Sequence, residues 1–196
     1  MSNSESTMRV FAGIPLDSRN AAKAVELVGQ LRAASGPLHG ARLSCPSSQR
    51  LHLTLKFCGD VPEQRIPDML AALQNLVWDP FELQFGGAGV FPQPSRPRVF
   101  WAGVRRGAEE LTRLAQQVNN ALVPLGLQSD QRPYHPHLTL CRVRDSRQAR
   151  WDQAIEMAEA WQWPCMAVSR LVLWQSILQS SGPEYRSLGE SLSAGK

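Results

Sequence analysis

The sequence predicts an α+β fold in which one domain is built from two related lobes. Strand-like and helix-like segments alternate as strand–helix–strand–helix–strand, and the order then repeats. The word HLTL stands at 52–55 and again at 137–140, each time in an alternating strand that follows a predicted helix. At average residue usage a given HLTL has a chance of roughly one in 10⁵ per position, so a second copy is not coincidence. No linker between the halves is long enough to separate independent domains, and 196 residues suffice for a proper core.

Residues 1–7 are polar and read as a disordered tail, which leaves 8–196 as the domain. RVFAGI (9–14) reads as a buried strand closed by Pro15, and Asp17 or Ser18 then caps a helix to about Ala34. GPLHG (36–40) is a loop and LHLTLKF (51–57) an alternating strand. Pro62 suits the first turn of a helix carrying Ile66, Leu70, Leu73 and Val77 at helical spacing. FELQFGGAGVF and RVFWAGV are strands joined by the turn-rich FPQPSRP. Leu111, Leu114, Val118, Leu122 and Leu125 form the core stripe of a helix from about Glu109 to Pro124. HLTLCRV (137–143) is the second alternating strand, RQARWDQAIEMAEAW (147–161) a helix and SRLVLWQSIL (169–178) a late strand.

A hydrophobic fraction of 43% and a charged fraction of 19% exclude a disordered or fibrous chain, and the net charge of +4 suits an anionic partner. No basic stretch precedes a long apolar run and no run of 18 apolar residues exists, so neither a secretory signal nor a membrane span is expected, and the expected compartment is the cytoplasm. Cys45, Cys58, Cys141 and Cys165 are scattered without a CxxC pair and read as buried free thiols of a reducing compartment.

Strand alternation puts His52 and Thr54 on one face and Leu53 and Leu55 on the other; His137 and Thr139 repeat the arrangement. The leucines anchor each strand on a core while the polar pairs face out. If an approximate two-fold axis relates the lobes, two imidazoles and two hydroxyls converge across a cleft. Two histidines flanking a reacting centre make a general acid and a general base near neutral pH. Threonine hydroxyls can donate to anionic oxygens as charge develops. In-line attack at phosphorus needs such groups on opposite sides, and the sequence offers no carboxylate cluster to hold magnesium.

Taken together the motifs resemble the two-histidine phosphoesterase superfamily, in particular its bacterial RNA 2′,3′-cyclic phosphodiesterase branch, also described as 2′-5′ RNA ligases. RVFAGIPLD resembles the family's opening strand, RLHLTLKFCGDV its first motif and RPRVFWAGV the middle strand. RPYHPHLTLCRV resembles the second motif and LVLWQSILQSSGPEYRSL the closing segment. The resemblance implies a bilobal, pseudo-two-fold fold of mainly antiparallel sheets with helices, its HxT strands facing a central groove. It implies opening of an RNA 2′,3′-cyclic phosphate end, or of a cyclic nucleotide, to a 2′-phosphomonoester with no cofactor or metal. Joining of tRNA halves through a 2′-5′ linkage is the related activity, with a ribose 5′-hydroxyl replacing water. A monomer is the expected state.

His52, Thr54, His137 and Thr139 match the family's catalytic positions, and Arg142 matches an arginine that contacts the phosphate. A 2′-phosphate product requires the acid to protonate O3′; His52 is assigned that role and His137 the role of base. The place matching Arg142 in the first half is Phe57, expected near the base or ribose of an asymmetric substrate. Simple alternation would turn Arg142 away from His137, so its role requires a strand end or a bulge. Arg132, Tyr134 and His135 are further candidates for substrate contact, with packing the competing role for Tyr134. Arg50 and Lys56 would enlarge a basic rim, His39 lies in a loop of no assigned role, and Trp101 and Trp174 read as core. Two alternatives compete: an RNA- or nucleotide-binding module without turnover, and a zinc hydrolase holding its metal through His52, His135 and His137.

Overall fold

The computed structural model describes residues 6–179 and 182–195. The expected tail falls mostly outside them, and its boundary moves: strand β1 (Thr7–Pro15) already includes Thr7, and the Ser6 hydroxyl bonds Glu63. The chain continues through α1 (Ser18–Arg32), β2 (Arg42–Ser44), β3 (His52–Pro62), α2 (Ile66–Gln74), β4 (Phe81–Phe91) and β5 (Val99–Arg106). It ends with α3 (Ala108–Leu122), β6 (His137–Asp145), α4 (Trp151–Glu159), β7 (Met166–Val168), β8 (Arg170–Ile177) and β9 (Glu184–Leu192).

The strands form a four-stranded sheet in the order β3-β1-β8-β9 and a five-stranded sheet in the order β2-β6-β5-β4-β7, with all described pairings antiparallel. The predicted duplication is visible in the pairing. In β1–α1–β3 and in β5–α3–β6, a strand passes through a helix and returns antiparallel to itself, bringing its HLTL beside it. The helices cross between lobes. Helix α3, which leaves β5, packs against β3 and α2. Helix α1, which leaves β1, reaches the second lobe, where Arg19 donates to the Cys165 carbonyl (3.2 Å) and Lys23 Nζ stands 5.3 Å from the Trp161 ring centre.

Local chemistry explains most boundaries. Asp17 caps α1 by accepting from the Asn20 amide at 2.8 Å, and Ala21, Ala24, Leu27 and Leu31 bury its inner stripe. Gly107 (φ 80°) precedes α3, where an added Cβ would stand 2.5 Å from the Glu82 carbonyl oxygen. Two helices are shorter than expected. Pro62 ends β3 instead of starting α2, a 3₁₀ turn fills 63–65, and Val77 lies beyond the helix, 79% exposed. Ahead of α4, the Asp145 carboxylate accepts from the Arg147 amide (3.0 Å) and side chain, which holds a turn where helix was expected. β2 and β7 have three residues each, too few to show alternation, and β9 is a largely polar edge strand.

Candidate active site

Both HLTL strands carry the same irregularity at the same place. Ala12 pairs with Lys56 and Gly13 with Thr54, so Leu55 is an extra residue in β3; Phe100 pairs with Cys141 and Trp101 with Thr139, so Leu140 is extra in β6. Each is a β-bulge, and each buries two consecutive residues, Leu55 with Lys56 and Leu140 with Cys141. A one-residue slip returns the next side chain to the opposite face. The slip restores Phe57 and Arg142 to the faces of Thr54 and Thr139, which supplies the bulge that a groove-facing Arg142 requires.

Upstream of the bulges, Leu53 (0% exposed) and Leu138 (0%) pin the strands while His52, Thr54, His137 and Thr139 are half-buried. Each imidazole is held from behind. His52 Nδ1 donates to the Arg50 carbonyl at 2.8 Å, and His137 Nδ1 donates to the His135 carbonyl at 2.7 Å. A carbonyl can only accept, so both rings carry their neutral-state proton on Nδ1 and leave Nε2 with a free lone pair.

Aromatic rings surround both histidines. His52 contacts Phe11 (centroids 4.7 Å apart), Tyr185 (5.2 Å) and Trp174 (5.6 Å); His137 contacts Phe91 (5.2 Å), His135 (6.0 Å) and Trp101 (6.4 Å). Desolvation by these rings lowers His52 from 6.5 to about 4, against the Arg50 carbonyl bond, which raises it, and together with the Arg142 charge, which lowers it. Desolvation lowers His137 as well, again opposed by its carbonyl bond, with the His135 and Arg142 charges acting downward. One guanidinium thus acts on both imidazoles, and β3 and β6 approach each other where the sheets meet. Tyr134 spans the same boundary, its hydroxyl donating to the Thr54 carbonyl at 3.0 Å.

Trp101 and Trp174 are floor residues next to the histidines, not core as expected. Trp174 leans over Gly13, where an added Cβ would stand 3.2 Å from the indole; Trp101 leans over Gly89, where the corresponding distance is 2.5 Å. Lys56 also departs from expectation. It is 2% exposed, and its ammonium donates to Asn119 Oδ1 (2.8 Å), the Gln128 carbonyl (2.9 Å) and Asp130 Oδ2 (3.1 Å), tying β3 to α3 and to the segment leading into the second motif. Arg50 braces loops, donating to Ser47 Oγ and the Pro183 carbonyl, both at 3.1 Å.

Of the remaining candidates, Phe57 is 64% exposed beside Phe11, His135 is exposed against Phe91 and Trp101, and Arg132 is exposed with no partner among the described residues. The Tyr134 hydroxyl is committed to Thr54, so that ring serves as a clasp between strands. His39 is exposed in its loop. The reading of four free thiols is corrected: Cys45, next after β2, is bonded to Cys141 in the β6 bulge, while Cys58 and Cys165 are free. The two bonded residues continue the β2–β6 register, in which Ser44 faces Arg142, and no CxxC spacing announced the pair. Sequence reasoning missed Phe11, Phe91 and Tyr185 as neighbours of the histidines, and the EYRSL stretch was the available signal for Tyr185.

Among the described residues no group of three or more His, Cys, Asp or Glu is placed to hold a metal ion; His52 lies among aromatic rings apart from the His135–His137 pair. No helix among them is long and apolar enough to cross a membrane.

Comparison with known proteins places the chain in a family and a fold. Residues 20–178 match the family model described as the 2′-5′ RNA ligase superfamily. A protein of Archaeoglobus fulgidus named RNA 2′,3′-cyclic phosphodiesterase is 33% identical over 92% of this chain and 98% of its own length. One of the same name from Aeropyrum pernix is 34% identical over 77% of this chain and 86% of its own. Among solved structures, E. coli LigT in apo form shares the fold at a TM-score of 0.74 and 24% identity, covering 96% of this chain and 99% of that one. TT0787 of Thermus thermophilus aligns at a TM-score of 0.72 and 29% identity, over 94% and 97% of the two chains.

Proposed function

Because this chain belongs to the 2′-5′ RNA ligase superfamily, we propose that it hydrolyses RNA 2′,3′-cyclic phosphate ends to 2′-phosphomonoesters without a metal. The observation that carries the reading is the pair of identically bulged HxT strands, each presenting an imidazole with a free Nε2, joined electrostatically by Arg142. Relatives named RNA 2′,3′-cyclic phosphodiesterase support the substrate class, as does the likeness to LigT complexed with 3′-AMP.

In this mechanism the cyclic phosphate seats its non-bridging oxygens against Arg142 and the hydroxyls of Thr54 and Thr139, which stabilise the charge that grows at phosphorus. His137 Nε2 takes a proton from water as the oxygen attacks in line with O3′. The P–O3′ bond breaks, His52 delivers a proton to O3′, and phosphate stays on O2′. The free protein holds both imidazoles neutral near pH 7, because burial and Arg142 disfavour their cations. The bound phosphate anion offsets Arg142 and readies the acid. With a ribose 5′-hydroxyl in place of water, the same steps join tRNA halves through a 2′-5′ linkage. Phe57 lies on the nucleoside side, and the enzyme acts as a monomeric domain of the cytoplasm.

Phosphorus NMR of an oligoribonucleotide ending in a 2′,3′-cyclic phosphate, incubated with the protein in excess chelator, tests this. A 2′-phosphomonoester is expected. A 3′-phosphomonoester would reverse the assignment of acid and base, and an untouched substrate would leave a binding module or a metal enzyme.

A further inference from the structure

The mechanism above leaves one polar group beside His52 without a task. Tyr185 sits on β9, opposite Ser176 of β8 and at the other edge of the sheet from β3. The sheet curls enough to bring side chains of its two edge strands together. The Tyr185 ring stands edge-on to His52 at 5.2 Å (87°) and to Phe11 at 4.9 Å (74°). From β3's side, Arg50 donates to the carbonyl of Pro183, just before β9, at 3.1 Å. The β8 ladder sets the backbone of Tyr185, and Arg50, whose carbonyl holds His52 Nδ1, also contacts the chain two residues before it.

The Tyr185 hydroxyl makes no hydrogen bond to a described residue, and two guanidinium groups act on it electrostatically: Arg142 from the other sheet and Arg50. Burial raises its pKa and outweighs both cations, so the phenol stays protonated through the neutral range and can only be neutral or a donor toward an anion. A half-buried donor beside a proposed acid, with Arg142 as its cationic neighbour, fits an anionic oxygen between them.

We propose that Tyr185 is a substrate-binding residue whose hydroxyl donates to a non-bridging oxygen of the cyclic phosphate, and afterwards of the 2′-phosphate product, alongside Arg142. This rests on the hydrolase reading above. It extends the phosphate cradle across both sheets: Thr54 and Tyr185 come from one, Thr139 and Arg142 from the other.

Tyr185→Phe removes the oxygen and keeps the ring contacts with His52 and Phe11. KM for a nucleoside 2′,3′-cyclic phosphate should rise about 10-fold, and Kd for the nucleoside 2′-monophosphate should rise by a similar factor, as expected for one hydrogen bond to a charged group. kcat should stay within about threefold and its pH profile should not move, because the acid keeps its surroundings. If the wild type turns over and the variant matches it in both KM and product Kd, the assignment is wrong. A variant that loses kcat at unchanged KM would make Tyr185 a positioning residue for His52, which also overturns it. If the wild type shows no turnover, the hydrolase reading fails instead. Tyr185 is then still decided by the two proteins' Kd values for the 2′-monophosphate, equal values refuting its role.

Discussion

Phe57 and Arg142 occupy the same place in two copies of one strand: each is the fifth residue after its histidine, and each is turned toward the site by a buried bulge two residues earlier. One copy ends in an exposed aromatic ring and the other in a cation. A repeated frame thereby acquires two chemically different ends, which the proposed function assigns to phosphate and nucleoside.

The two positions should respond differently to truncation. Arg142→Ala loses charge-assisted bonds of about 1.5–3 kcal/mol, so kcat/KM should fall roughly 10- to 150-fold, with partial recovery in Arg142→Lys. Phe57→Ala should leave stability within about 0.5 kcal/mol, because the ring is already 64% exposed, and should act on KM. With stacking worth about 1–3 kcal/mol per base, its KM for an oligoribonucleotide should rise at least fivefold. Steady-state kinetics on both variants check this, and equal KM for Phe57→Ala and wild type would remove the ring from the substrate.

His52→Ala and His137→Ala should each reduce turnover by about 10²–10⁴, with the double variant little worse than the weaker single one. The leucines on the opposite faces of both strands hold the core, so circular dichroism should show folded protein in all three.

Both imidazoles titrate below 6.5 in the free protein, His52 at about 4, with burial the main cause. The rate needs one ring charged and the other neutral, so the kcat/KM maximum lies between the two values, on the acid side of 6.5, and declines as pH rises through neutrality. Bound phosphate favours imidazolium, so the kcat profile should sit at higher pH. A kcat/KM maximum above pH 7.5 would contradict the burial of both rings. The folded protein binds these protons less readily than the unfolded chain, so stability should fall as pH drops from 6.5 toward 4. Urea unfolding at stepped pH measures it.

Lys56→Met should cost about 2–4 kcal/mol in urea unfolding, because three acceptors lose a buried ammonium. The effect on kcat should be modest, since Lys56 points away from the imidazoles and into the α3 side of the sheet. A loss of activity exceeding that of Arg142→Ala would place Lys56 in the chemistry instead.

The pattern of apolar residues made the duplicated architecture legible, because each HLTL strand writes its buried and open faces into alternating letters. The four motif residues followed from the same alternation. Arg142 was legible only through resemblance, since alternation alone turns it the wrong way, and a bulge has no sequence mark in LTLC or LTLK. Lys56 was misread for the same reason: the slip that turns Phe57 outward sends its neighbour inward. Tyr185 and the Cys45–Cys141 bond depend on sheet curl and register between distant segments, which local periodicity does not encode.

The paired glycines and tryptophans carry a steric consequence. Opposite Thr54 stands Gly13, roofed by an indole from the next strand; opposite Thr139 stands Trp101, with a glycine on the next strand making room for it. Any single substitution that moves one lobe toward the other's solution leaves two indoles competing for one space, or none filling it. The two flanks are therefore sterically locked apart: no one-step exchange of glycine and tryptophan makes either like the other, so a frame that repeats its HLTL strand still holds two unlike walls.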